Sequence, residues 1–369
     1  MDIYQLLHLA ISKGASDLHL VADSPPLFRI NGVLDPVDDM LPITPADINQ
    51  AFSQIASDKE GADFRRCLEL DFSYTLPGVS RFRCNVARQR GTVSLTLRLV
   101  PSAIPTIDEL ELPEICKELA LKRRGLVVVS GPTGSGKSTT LAAMIDHLNS
   151  VESRRVVTIE DPIEYIYTNL KCTITQRELR NDTLSFAEAL KHVLRQDPDI
   201  ILVGEMRDLE TAAAVLTIAE TGHLVLTTGH APSASQAVER IIDLFPPQER
   251  YLAQSRLASL LIAILCQVLI PRADGSGRIA AVEVMLASPA VRNLIREGKI
   301  YQLPNTIRMQ TQLGMVLLDQ ALVNLYRKGI IGSETLFAFC NDGDEVQQLS
   351  GKVEESDPGS SLLPNLLDD

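Results

Sequence analysis

Leu126-Val127-Val128-Val129-Ser130-Gly131-Pro132-Thr133-Gly134-Ser135-Gly136-Lys137-Ser138 is the stretch that decides the fold of this 369-residue chain. Its opening is an apolar, β-branched run of a length suited to one buried strand. The segment from Gly131 to Ser138 matches G-x-x-x-x-G-K-[ST] in full, and residues 139–148 continue at once in a helical pattern. Strand, glycine turn and helix in that order let backbone N–H groups curl around phosphate oxygens while the helix N-terminus adds positive potential. Gly131, Pro132, Thr133, Gly134, Ser135, Gly136, Lys137, Ser138 and Thr139 are therefore the expected nucleotide-binding residues. Among them Lys137 would neutralise the β- and γ-phosphates of ATP, and Ser138 would ligate Mg²⁺.

Downstream, the apolar runs 156–159, 200–203 and 224–227 alternate with amphipathic helical segments, the signature of a parallel sheet covered by helices. Ligands of such sheets sit beyond the carboxyl ends of the strands, so polar residues there are the candidates for chemistry. Ile200-Ile201-Leu202-Val203-Gly204-Glu205 ends in a carboxylate, and Glu205 is expected to orient or activate the attacking water. Glu160-Asp161-Pro162-Ile163-Glu164 comes directly after the run 156–159. Glu164 is its expected functional member, because Pro162 fixes a turn that could present it, and it would hold Mg²⁺ through a water; a solvated loop is the plain alternative. His223 and His230 bracket the run 224–227, and a histidine beside a phosphate can sense its charge through a hydrogen bond.

Upstream, Ile3, Leu6, Leu7 and Ala10 share one helical face, and alternating runs lie at 16–21, 27–33, 80–87 and 92–100. Asn31-Gly32 reads as a hairpin turn. These signals predict an α+β domain over 1–101, then a proline-punctuated linker over 102–124, an ATPase core over 125–287, a helical region over 288–345 and a disordered acidic tail over 346–369. A formal net charge of −12 disfavours a surface built to hold nucleic acid. The scattered cysteines at 67, 84, 116, 172, 266 and 340 form no zinc-ligand spacing and read as reduced thiols of a cytoplasmic protein. No signal-peptide pattern opens the sequence, and the apolar run 257–270, which contains Gln267, is too short for a bilayer span. Membrane association is expected only through a partner.

Together, 131–140, Thr158-Ile159-Glu160-Asp161-Pro162-Ile163-Glu164, Leu202-Val203-Gly204-Glu205-Met206-Arg207-Asp208 and Thr221-Gly222-His223 resemble the P-loop, Asp box, Walker B motif and His box of the secretion ATPases, hexameric motors of type II secretion and type IV pili. Within that superfamily the chain resembles the pilus retraction ATPases. Gly14-Ala15-Ser16-Asp17-Leu18-His19-Leu20 is similar to their opening, the additional N-terminal domain and zinc cysteines of extension and secretion motors are missing, and Ala290-Val291-Arg292-Asn293-Leu294-Ile295-Arg296-Glu297 nearly matches their A-I-R-N-L-I-R-E motif. On residues alone that last stretch is an ordinary amphipathic helix with Val291, Leu294 and Ile295 inward. The neighbours of His230 depart from the family's usual G-T-L-H-T-like stretch.

The resemblance implies a PAS-like N-terminal domain, a RecA-like P-loop NTPase domain with a helical C-terminal part, and a homohexamer hydrolysing Mg-ATP. It also implies that Arg81 and Arg83 reach the phosphates, that His230 takes part in catalysis, and that the motor works on an inner-membrane pilus platform protein from the cytoplasmic side. The rival readings are a paralogous accessory retraction ATPase, a secretion or extension motor, a regulatory protein that binds nucleotide without turnover, and a nucleic-acid motor.

Overall fold

A computed structural model describes residues 1–351 apart from 31, 39 and 102. The expected turn residue Asn31 and positions 352–369 of the expected tail lie outside the described residues. The chain divides into two compact units: Met1–Pro105 with Thr158–Leu170 and Ile174–Ser185, and Thr106–Val157 with Lys171–Thr173 and the chain from Phe186 onward.

In the first unit α1 (Ile3–Ser12) buries the apolar face read from the sequence, Ile3, Leu6, Leu7 and Ala10. Strands β1 (Asp17–Leu20), β2 (Leu27–Ile30) and β3 (Val33–Pro36) precede two helices, α2 (Pro45–Ile55) and α3 (Asp58–Cys67). Each of these helices opens with a capping box, Thr44 with Asp47 and Ser57 with Glu60, which satisfies N–H groups the first turn leaves free. Then come β4 (Glu69–Leu76), β5 (Ser80–Gln89) and β6 (Thr92–Val100), completing an antiparallel sheet of order β3-β2-β1-β6-β5-β4. The β5–β6 hairpin pairs Gln89 with Thr92 across Arg90 and Gly91, both at positive φ, as a two-residue turn matched to strand twist requires. Phe52 sits edge-on to Phe64 and Phe72 at ring separations of 5.3 and 5.8 Å, at the centre of the core between helices and sheet.

The remaining elements begin with α4 (Ile115–Ala120), β7 (Gly125–Ser130), α5 (Lys137–Val151), β8 (Arg155–Glu160) and β9 (Thr173–Glu178). They continue with α6 (Phe186–Val193), β10 (Ile200–Val203), α7 (Leu209–Glu220), β11 (Leu224–Thr228), α8 (Ala234–Asp243), α9 (Arg250–Leu260), β12 (Leu261–Pro271) and β13 (Arg278–Leu286). Seven strands form the second sheet in the order β13-β12-β7-β11-β10-β8-β9. β7 runs parallel to β11 and β12, β11 runs parallel to β10, and every residue of β7, β10 and β11 is buried, as strands covered on both faces must be. The sheet thus places the ends of β7, β10 and β11 side by side, which is what assembles the site.

Short helices α10 (Pro289–Arg296), α11 (Leu303–Met309), α12 (Leu318–Arg327), α13 (Ser333–Phe339) and α14 (Gly343–Ser350) close the described chain. The tail expected to be disordered from 346 instead continues α14 to Ser350. Val346 anchors it, fully buried against Leu318, Leu322 and Leu336, and Asp342 caps its first turn. No helix among the described residues is long and apolar enough to cross a membrane.

Candidate active site

β7 ends at Ser130 opposite Cys266 of β12, and the chain turns at Gly131 with φ 139°. A Cβ at Gly131 would lie 2.2 Å from the backbone oxygen of Gln267, so no other residue fits this turn. Gly134 and Gly136 also have positive φ, and α5 begins directly afterwards. The ammonium of Lys137 is buried and donates to the carbonyl oxygens of Gly131 and Pro132, both at 2.9 Å. Ser135 Oγ is buried with no hydrogen-bond partner among the described residues. A cradle only glycine can form, a buried cation over it and an unsatisfied hydroxyl within it suit the terminal phosphates of a nucleotide. Ser138 follows Lys137 in the first turn of α5 and is half-buried. No trio of acidic, His or Cys side chains gathers as a metal cage among the described residues, and Mg²⁺ held largely by phosphates needs none.

Glu205 emerges just past β10. The turn before it is tied down by Thr228 Oγ1, which donates to Gly204 O at 2.5 Å. His230 is fixed from the other side, because Ser130 Oγ donates to Ala231 O at 2.7 Å and accepts from Ala231 N at 2.9 Å, riveting the turn after β11 to the end of β7. These ties bring His230 Nε2 to 3.8 Å from Glu205 Oε2, whose stronger partner is Arg207 Nη2 at 2.7 Å. Burial, with the cations of Lys137 and Arg207 nearby, pushes the His230 pKa below the usual value, so the ring is neutral at neutral pH. Arg207, His230, Ser130, Thr133 and Arg240 border a cavity of about 480 Å³. The structure therefore brings Glu205 and His230 together, with the ammonium of Lys137 near enough to act electrostatically on the His230 ring.

The other expected residues, His223, Arg81, Arg83 and Glu164, lie elsewhere in the chain's two units. His223 precedes β11, and its carbonyl accepts from Gly125 N at 2.9 Å at the start of β7, so it lies at the amino end of the sheet. Five residues of strand at ~3.3 Å each put it roughly 16 Å from the phosphate loop of its own chain. A histidine at a strand end is legible in sequence, but only the carboxyl ends line the site; here Nδ1 of His223 meets Thr221 Oγ1 at 2.9 Å. In the first unit Arg81 is engaged by Glu178 at 2.7 Å, while Arg83 is exposed with no ion pair among the described residues. Glu164 is exposed. The perturbed carboxyl of its cluster is Glu160, which burial pushes up to about 7 although Thr158 Oγ1 and Gln176 Nε2 donate to it at 2.7 and 3.2 Å. Its place directly after an apolar run, like that of Glu205, is the signal that marks it in the sequence.

Sequence reasoning also misses Gln267, whose Nε2 donates to Ser135 O at 2.6 Å and whose Oε1 accepts from Thr140 Oγ1 at 2.9 Å. A lone amide inside an apolar run is buried only with partners, and that is the pattern by which it could be found.

A glycine cradle with a buried lysine, opposed by a carboxylate at a neighbouring strand end, is the arrangement of a P-loop nucleoside triphosphatase. The family model described as "Type II/IV secretion system protein" matches residues 2–316. The chain is 46% identical over 334 residues to the type IV pilus retractation ATPase PilT of Pseudomonas aeruginosa, covering 90% of this chain and 96% of that one. It is 42% identical over 368 residues to the type IV pilus ATPase PilU of the same bacterium, covering 99% and 96%. The crystal structure of the pilus retraction motor PilT with bound ADP superposes with a TM-score of 0.88 at 41% identity, covering 94% of this chain and 99% of that one. The chain belongs to the type II/IV secretion system protein family and is one of its ATPases.

Proposed function

We propose that the chain is a hexameric Mg-ATP-hydrolysing motor that powers retraction of type IV pili, and so twitching motility, by removing pilins at an inner-membrane platform protein. The observation that carries this reading is the meeting of Lys137, Glu205 and His230 in a chain alignable with PilT over 90% of its length. The loop amides and Lys137 hold the β- and γ-phosphates, and Glu205, steadied by Arg207, takes up the proton of the attacking water. Neutral His230 lies beside that carboxylate and is placed to register loss of the γ-phosphate. Mg²⁺, held by Ser138 and phosphate oxygens, would offset charge on the leaving group. Glu164, Arg81 and Arg83 lie in the first unit, whose residues 1–101 are read as PAS-like, and their part in the reaction is proposed from sequence alone. Differential affinity of closed and open states for ATP and ADP would turn hydrolysis into motion.

The test is deletion of the gene and complementation with Lys137→Ala. Immobile, heavily piliated cells support retraction, whereas bald cells point to extension. A second pilus ATPase working beside a principal one is favoured by the 42% identity to PilU over 99% of this chain. That reading expects the deletion to leave retraction weakened but present.

A further inference from the structure

Gln267 breaks the apolar pattern of β12, is 3% exposed, and spends both ends of its amide on the phosphate loop and the helix after it. We propose that Gln267 is a positioning residue for ATP hydrolysis: its side chain sets the loop in its phosphate-accepting shape without touching the nucleotide. The proposal rests on the ATPase reading above.

The physical basis is peptide planarity. In a trans peptide the C=O and the following N–H point in opposite directions, so whatever holds the carbonyl of Ser135 also aims the N–H of Gly136. Gln267 Nε2 holds that carbonyl toward β12 at 2.6 Å, which turns the Gly136 N–H away from the strand. Gly136 sits at φ 86°, where glycine has little preference of its own, so the direction must be imposed from outside. The other end of the amide accepts from Thr140 in the first turn of α5, fixing loop and helix to one another. The backbone oxygen of the same residue abuts Gly131, where the loop begins. One residue of a strand hydrogen-bonded to β7 therefore grips the start, the apex and the exit of the loop.

Only an amide does this. Glu at 267 could still accept from Thr140 but would set a carboxylate against the Ser135 carbonyl.

The experiment compares the parent full-length chain with Gln267→Glu, measuring ADP affinity by titration, KM and kcat for ATP, and melting temperature with and without ADP. We expect the variant to raise the ADP Kd and ATP KM about tenfold, the loss of one hydrogen bond to a loop that must be preset, with kcat reduced less. The ADP-induced rise in melting temperature should shrink, over and above the fall in the nucleotide-free value that a buried carboxylate facing a carbonyl brings. A lower nucleotide-free melting temperature with parental Kd and KM would show that Gln267 merely packs, and overturns the proposal. Should Gln267→Glu not fold, Thr140→Val frees the other end of the amide, and an increase of KM by about threefold is expected; a parental KM overturns the proposal. A parent that does not bind ADP refutes the ATPase reading itself, whereas a parent that binds and variants that match it refute only the role of Gln267.

Discussion

Lys137 directs its ammonium at two loop carbonyls, and Glu205 lies at a different strand end beside Arg207, so the two substitutions should separate binding from chemistry. Lys137→Ala is expected to abolish ADP binding in a titration. Glu205→Gln should bind ADP like the parent while hydrolysing ATP ~10²–10⁴ times more slowly, the usual worth of a positioned general base; parental phosphate release from that variant would remove Glu205 from the mechanism. Glu160 makes a prediction about pH. Its carboxyl is raised from 4.5 to about 7, so the folded protein holds this proton more tightly than the unfolded chain. The resulting stabilisation is complete below pH 4.5 and is lost as pH rises through about 7. Glu160→Gln stays neutral throughout, and calorimetry should find the slope of melting temperature against pH flatter across that window. The same slope in both proteins would contradict the assignment.

Helices α9 and α10 cap one another. Arg292 Nη1 donates to the last-turn carbonyls Ala258 O and Ser259 O of α9 at 2.7 and 2.6 Å, and Gln254 Nε2 donates to Ile295 O of α10 at 2.6 Å. Arg292→Ala would leave two carbonyls without their donor, one part-buried and one exposed, and should cost about 1 kcal/mol, with Arg292→Lys recovering part of it because an ammonium still reaches as a donor. Thermal melts of the three proteins check this; equal melting temperatures would mean that the interhelical bonds are idle. The motif at 290–297 shows how far elements are legible. Its apolar spacing marks Val291, Leu294 and Ile295 as inward, and Val291 and Ile295 are buried while Leu294 is half-buried, but no periodicity announces a side chain that caps another helix. β7, β10 and β11 can be read because buried parallel strands are short, unbroken and apolar. β12 cannot, since α9 passes into it at Leu261 with no glycine or proline between them, and a continuous apolar run serves a helix and a strand equally. β4 and β9 carry too few buried residues to show their alternation.

At the scale of the molecule, the information hidden from sequence is non-local. Residues 158–170 and 174–185 belong to the same compact unit as 1–105, and nothing within either stretch records that partnership. The phosphate loop, by contrast, is local: strand, glycines and helix are consecutive and can be read as one motif, whereas which end of the sheet His223 occupies depends on the direction of β11, which the sequence alone does not record. Net charge is a whole-molecule property that sequence does supply, and at −12 it bears on the choice among motors. A nucleic-acid motor gains its affinity by releasing counterions from phosphates it neutralises, which takes surplus Lys and Arg and produces a steep dependence on salt. This chain has 35 basic against 47 acidic residues. Its ATP hydrolysis should therefore be the same with and without single- or double-stranded DNA at low ionic strength, where any attraction would be greatest. Stimulation by DNA that vanishes as salt is raised would overturn the pilus reading in favour of a translocase, because it would require a basic track that the overall charge balance opposes.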